Sequence, residues 1–406
     1  MIIAIIFIIF IKLLISNTIC RRRASTAILT LFVYLSISII DMIWLFNVEN
    51  TPLHPSDPIN YFYNAMNHPF SEVFEEGHSN MLYPIINWVM TRFWSNPYWF
   101  CLLIKIDNCL LAVIIYLLLT CKNPRLTIFD YIILFNPYLI LTLNRNVRDL
   151  YIILFVLLIF IGIGAIHSIR INKFWLFVSI LLLAITRAVL IAPLLVVWFS
   201  MQWTKLSKTQ KFFALITIIL ISVTGFEIMI KESMNQMISS MSYSGQDYED
   251  LRPLLYGEYS LSAWLAFCKK FIMAFSVFLF TPNPLNHIVE WYRSMTETGA
   301  SNIYTGFDNL LILLGSIYYY VFVIPYIINA FYNYTKYNHQ LLLFSVLFAV
   351  LYSVSYLGQT DIRNHNTFIY FFLASILYSK YRIKIHIKDC IGSILLCLGI
   401  HKFSSK

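Results

Sequence analysis

Runs of about 20 or more mainly apolar residues recur along this chain, and they fix the solvent in which it can fold. Ala24 to Asn47, Trp99 to Thr120 and Leu310 to Phe331 each reach that length, enough for a helix to cross roughly 30 Å of hydrocarbon. Within a bilayer every backbone polar group must find a partner inside its own segment or in a closed barrel. These runs lack the alternating polarity of barrel strands, so they read as helices. Only 12% of the 406 residues are charged and 59% are hydrophobic, whereas a soluble chain carries roughly 25% charged residues. The sequence therefore predicts an all-α, polytopic integral membrane protein, with residues 1–406 forming one membrane domain. Met1 to Ile19 is apolar but lacks a basic leader and a small-residue cleavage site, and it reads as a retained helix.

The net charge of +9 matters through its distribution. Short basic connections stand at Arg21-Arg22-Arg23, Lys122/Arg125, Arg170/Lys173, Lys205/Lys208/Lys211, Lys336 and Lys380/Arg382/Lys384/Lys388, with Asp389 as the only carboxylate beside them. The intervening connections carry Asp57, Glu72, Asp149, Asp250, Asp308 and Asp361 among other acids. Basic connections face the cytoplasm, so the second set is expected outside. This accounts for the positive charge without a nucleic-acid partner.

Alternating sides give crossings near 25–46, 98–120, 127–143, 150–168, 174–186, 188–201, 212–231, 309–331, 340–357 and 367–379. With the N-terminal helix that is about ten or eleven spans. Outer loops then cover approximately 47–97, 232–270, 282–308 and 358–366. Two runs must not cross. Met81 to Trp94, interrupted by Pro84 and Arg92, is expected along the outer surface, and Phe271 to Thr281, about half a span long, is expected to be interfacial or re-entrant. The pair 174–186 and 188–201 reads as two short helices meeting at Thr186-Arg187, against a single 27-residue helix with a buried arginine.

The polar chemistry collects on the outer side. Asp57, within Asp57-Pro58-Ile59-Asn60-Tyr61, is a candidate general base once partly desolvated. A helix cap is its bland alternative. In Asn144-Arg145-Asn146-Val147-Arg148-Asp149, Arg145 and Arg148 share a helical face and can fork onto phosphate oxygens, with Asp149 orienting one of them. Arg187 lies between apolar runs and must face protein or a wet cavity. Arg363 and His365, in Gln359 to Asn366, can bind an anion or sugar hydroxyls. Lys105 and Asp107 are two apart, off a common helix face, so each needs a partner on another helix. The seven cysteines show no CxxC or Cys/His ligand spacing, so no disulfide frame, metal site or cofactor is expected. No nucleotide-binding or common hydrolase motif occurs in a credible context.

In the order of its features the chain resembles the multi-span glycosyltransferases of the GT-C type and the related Wzy-like polymerases of bacterial surface polysaccharides. Asp57 with Tyr61 and Ala65 is similar to the first-loop aspartate region of GT-C enzymes, and Tyr83-Pro84 to the short helix after it. Asn136-Pro137 leading to Arg148, and then Thr186-Arg187, are similar to the third and fourth blocks. Phe280-Thr281-Pro282-Asn283-Pro284 resembles the "PxP" block, and Thr360 to Asn366 the arginine-bearing last outer turn. The acidic pair often seen in the first loop is a single aspartate here. The resemblance implies a repeat-unit polymerase in the bacterial inner membrane, its active site facing the periplasm and its substrate a polyprenyl-diphosphate-linked oligosaccharide. Membrane lipids and a chain-length regulator protein are the other expected partners. A GT-C enzyme moving one sugar from a polyprenyl phosphate is the runner-up, and a lipid-linked oligosaccharide flippase comes third.

Overall fold

The structure, a computed structural model, describes residues 21–54, 57–72, 82–120, 126–145, 148–166, 169, 171–203, 261–280, 306–356, 362–381 and 383–404, with Ile6, Ile9 and isolated positions in 205–211 and 283–292. The expectations placed on Met1 to Ile19, on the crossing at 212–231, on most of the loops 232–270 and 282–308, and on Lys208, Asp250 and Asp361 lie outside the described residues. Every regular element among the described residues is helical. They are α1 Arg21–Glu49, α2 Asp57–Asn67, α3 Leu82–Phe93, α4 Pro97–Thr120, α5 Ile128–Leu134, α6 Pro137–Asn144, α7 Asp149–Gly162, α8 Lys173–Arg187 and α9 Ile191–Gln202. Then follow α10 Leu261–Phe280, α11 Gly306–Tyr318, α12 Ile324–Asn333, α13 His339–Tyr356, α14 Ile362–Leu377 and α15 Ile387–Ser404.

Among the described residues, four helical runs are long and apolar enough to cross a membrane: Arg21–Asn47, Pro97–Thr120, Lys173–Gln202 and Phe307–Lys336. They differ in what surrounds them. The Pro97–Thr120 window is 83% buried and forms the centre of the bundle, against 28% for Arg21–Asn47. The outer run displays Leu29, Phe32, Ile40 and Ile43 to the surroundings, an apolar surface of the kind that lipid covers. Around α4 pack α1, α6 and α7, and α14 packs on α6, α7 and α13.

Several helices are too short to cross alone, and the sequence shows why they stop. Asn136 ends α5 and starts α6: its side chain accepts from Tyr138 N and Pro137 takes the first helical position, where a missing N–H costs nothing. At Arg187 the backbone leaves the helix (φ −160°, ψ 72°), and a 3₁₀ turn Ala188–Leu190 leads into α9. The halves pack on different neighbours, α8 on α7 and α9 on α13.

Helix α10 differs from expectation in length. It covers 20 residues, about 30 Å, because the helix continues back through Lys269 and Lys270, good helix formers that interrupt only the hydropathy. Its last carbonyls nevertheless sit inside the bundle. Phe278 O accepts from His365 Nε2 at 2.6 Å, Leu279 O from Tyr319 Oη at 2.9 Å and Phe280 O from Tyr320 Oη at 2.5 Å. Tyr319 lies roughly 16 Å along the helix from Asp308 at 1.5 Å per residue. A π turn at Tyr319–Val323 lets two consecutive tyrosines reach two consecutive orphan carbonyls, which a buried helix end requires.

The helix ends sort into two groups. At one end Arg23 Nη1 donates to Asp130 Oδ1 at 2.6 Å, Tyr378 Oη to Leu119 O at 2.6 Å and Asn338 N to Ser375 O at 2.9 Å, and Ser379 Oγ donates to Lys336 O. These contacts bring together several of the basic connections. The opposite end gathers Asn144, Arg145, Asp308 and His54. There α3 packs on α2 and α8, and Tyr83 meets Tyr151 edge-on at 6.1 Å.

Candidate functional site

At the second end a compact ion network is closed off from solvent. Asp41 of α1 receives the Lys105 ammonium of α4 at 2.7 Å on Oδ2, and His54 Nε2 lies 2.9 Å from the same oxygen. His54 Nδ1 is 3.2 Å from Asp308 Oδ2 of α11, and Arg145 Nη2 donates to that oxygen at 2.9 Å. All five side chains are at most 2% exposed. The network also finishes α6, since Lys105 Nζ donates to Asn144 O at 2.7 Å, and Asn108 Nδ2 to Leu143 O at 3.1 Å and Arg145 O at 2.8 Å. Charged groups this deep persist because each has an opposite charge and hydrogen bonds.

The sequence marked Lys105 as a group in need of a partner on another helix and missed His54 altogether. A carboxylate in a span demands a donor, and the first histidine after α1 was the signal available. Asp107, as expected, has its partner on another helix, accepting from Tyr151 Oη. Burial pushes the nearby Tyr83 hydroxyl well up, and the Asp107 carboxylate adds to this, followed by Tyr61 and Asp149, so Tyr83 stays a donor. For His54 burial pushes the imidazole down, but the Asp308 and Asp41 carboxylates outweigh it and hold its pKa above the ordinary value.

Asp41, His54 and Asp308 offer ligand atoms within 4.8 Å of one another, a donor set that a divalent ion can use. The oxygens facing His54 are already taken by an ammonium at 2.7 Å and a guanidinium at 2.9 Å. An added divalent cation would meet both, so the residues present do not fit a metal centre.

The expected site residues separate into three groups. Arg145 and His365 are buried and engaged: Arg145 by Asp308, and His365 by Phe278 O, with its ring stacked on Phe278 at 4.7 Å and edge-on to Tyr319 at 5.8 Å. Neither is open to a substrate in this arrangement. Asp57 is the first residue of α2 and Arg363 the second of α14, and their side chains lie outside the described residues. Arg148, Asp149 and Arg187 are half-buried. Arg148 caps the N-terminus of α7, where Asp149 begins the first turn. Arg187 ends α8, its guanidinium 5.7 Å from the Tyr352 ring centroid. Helices α7 and α8 pack side by side and are joined by a short connection, 163–172, so they run antiparallel and bring Arg148 and Arg187 to the same end.

No protein-family model, no curated protein and no solved structure matches this chain.

Proposed function

We propose that the protein is a membrane glycosyltransferase of the repeat-unit polymerase type, acting on polyprenyl-diphosphate-linked oligosaccharide at the periplasmic face of the bacterial inner membrane. The observation that supports this is the convergence of Arg148 and Arg187 at one end of the α7–α8 pair. Arg148 stands at the positive end of a helix dipole, which favours an anion over a cation. A bound diphosphate would relieve that conflict and take bidentate hydrogen bonds from guanidinium groups. Helix α3, from the segment read as the first outer loop, packs on α8 and meets α7 through Tyr83 and Tyr151.

In the reaction this arrangement serves, an acceptor hydroxyl attacks the anomeric carbon of the lipid-linked glycan. A new glycosidic bond forms, the bond to the diphosphate breaks, and polyprenyl diphosphate departs. The acceptor proton goes to a carboxylate, for which Asp57 is the proposed base. The arginines stabilise charge building on the leaving diphosphate.

The test is polysaccharide banding from a strain that lacks the gene and is complemented at matched protein level. Arg148→Ala and Arg187→Ala should each give single-repeat product. Arg148→Lys, which keeps the charge and loses the fork, should lose most long chains. Wild-type banding from both alanine variants removes the pair from the mechanism, and with it the reading.

A further inference from the structure

His54 belongs to the segment that follows α1, Asn50–His54, and is the residue by which that segment enters the ion network. Its neighbours Pro52 and Leu53 are buried as well, and Cys101 Sγ donates to Pro52 O at 3.0 Å. The two ring nitrogens face carboxylates on different helices: Nε2 is hydrogen-bonded to Asp41 Oδ2 of α1 at 2.9 Å, and Nδ1 makes an ion-pair contact with Asp308 Oδ2 of α11 at 3.2 Å that is not aligned as a hydrogen bond. Each carboxylate oxygen is also paired with a fixed cation, Lys105 or Arg145, and such an oxygen only accepts hydrogen bonds. A neutral imidazole carries one N–H and no charge; only the imidazolium presents an N–H and a positive charge to both carboxylates at once.

From this geometry we infer that His54 is a proton-operated latch, whose imidazolium ties the segment after α1 to both α1 and α11 and whose deprotonation releases one of those ties. The charged and titratable groups facing the ring come from every surrounding element: Asp41 on α1, Cys101 and Lys105 on α4, Arg145 after α6, and Asp308 on α11. Lys105 and Arg145 oppose a further positive charge, and the two carboxylates favour it at shorter range. Space for the released state adjoins the ring. A cavity of about 10 Å³, lined by His54, Cys101, Lys105 and Asn144 among others, is close to the size of one water. Asn144 Nδ2 has no hydrogen-bond partner among the described residues. A water there can bond to Asn144 and to the imidazole nitrogen that has lost its proton.

The sign follows from the raised pKa of His54. The latch contributes fully below the ordinary imidazole value of about 6.5, and its contribution is lost as pH rises through the raised value. It is closed below the ordinary imidazole value and opens only as pH rises through the raised one.

The experiment is amide hydrogen exchange on the full chain in lipid nanodiscs, read at residues 50–54 and corrected for the intrinsic pH dependence with peptides from α4. Protection should fall roughly tenfold between pH 6 and pH 9, the loss of one charge-assisted hydrogen bond. In His54→Gln it should be low at both. Flat protection in the wild-type protein overturns the latch, whether or not the variant folds. Histidine-selective ¹⁵N spectra, with the His54 signal assigned by its loss in His54→Gln, supply a second reading: that imidazole should keep both nitrogens mostly protonated at pH 6.5, where an ordinary imidazole is about half deprotonated, and its deprotonation there overturns the latch as well. Neither readout involves glycan product, so the latch stands or falls separately from the glycosyltransferase reading.

Discussion

A double-mutant cycle on Arg145 and Asp308 separates a structural arginine from a phosphate-binding one. The pair is 2% and 0% exposed at 2.9 Å, and removing one member of a buried ion pair costs about 3–5 kcal/mol because the other charge is left behind. Arg145→Met should fall near the lower figure, since the Asp308 carboxylate still faces His54 at 3.2 Å. Asp308→Leu should fall near the upper one, because both a guanidinium and an imidazole lose their carboxylate. The double variant removes both charges and leaves an apolar contact of similar volume, so its cost should lie below that of either single change, a coupling of about 5 kcal/mol or more. The assay is SDS-titration unfolding in mixed micelles, followed by loss of helicity, with product per folded molecule measured in parallel. If Arg145→Met unfolds like the parent yet makes no long chains, Arg145 serves a ligand and the reasoning fails. Additive single changes would refute it equally.

His365→Phe keeps the ring stacked on Phe278 but strips the donor from Phe278 O, and should cost about 1–3 kcal/mol, measured by the same unfolding titration, with product per folded molecule unchanged. Asp57→Asn preserves a helix cap while removing basicity. Gel banding at normal membrane insertion should then show a loss of long chains on the order of 10²-fold, and parental banding would make Asp57 only a cap.

What was legible in the sequence is what is encoded locally. Apolar length gave α1, α4 and the run 307–336, but the run 127–143, read as one crossing, is broken at Asn136 into α5 and α6, because Asn136 caps a new helix that Pro137 begins. The two-residue offset of Lys105 and Asp107 required partners on separate helices, and Asp41 and Tyr151 supply them. Long-range pairing was not legible. Nothing near His365 in the chain announces that it caps the carbonyl of Phe278, and nothing near Arg145 points to Asp308. Both residue types look like ligand-binding groups when read from sequence, because a buried helix end and a buried carboxylate need the same donors that a phosphate does. The sequence ended the apolar run of α10 at the lysine pair because hydropathy measures solvent preference, while the helix follows backbone propensity through those residues.

The two interruptions near the candidate site resolve their backbone differently, and the difference bears on where a substrate can reach. Non-helical backbone at membrane depth survives only when buried in protein or lining a wet cavity. The break after Asn144 is of the first kind: Asn108 and Lys105 take the carbonyls of Leu143, Asn144 and Arg145, and the ion network seals the rest. The break at Arg187 runs through a 3₁₀ turn in which Ile191 N donates to Ala188 O. Ala188 beside it is exposed and Arg187 is half-buried, with the 3₁₀ turn starting there without a side-chain cap from Arg187. Arg187 is thus the less enclosed of the two interruptions, and it stands with Arg148 at the end of the α7–α8 pair where the diphosphate site is proposed.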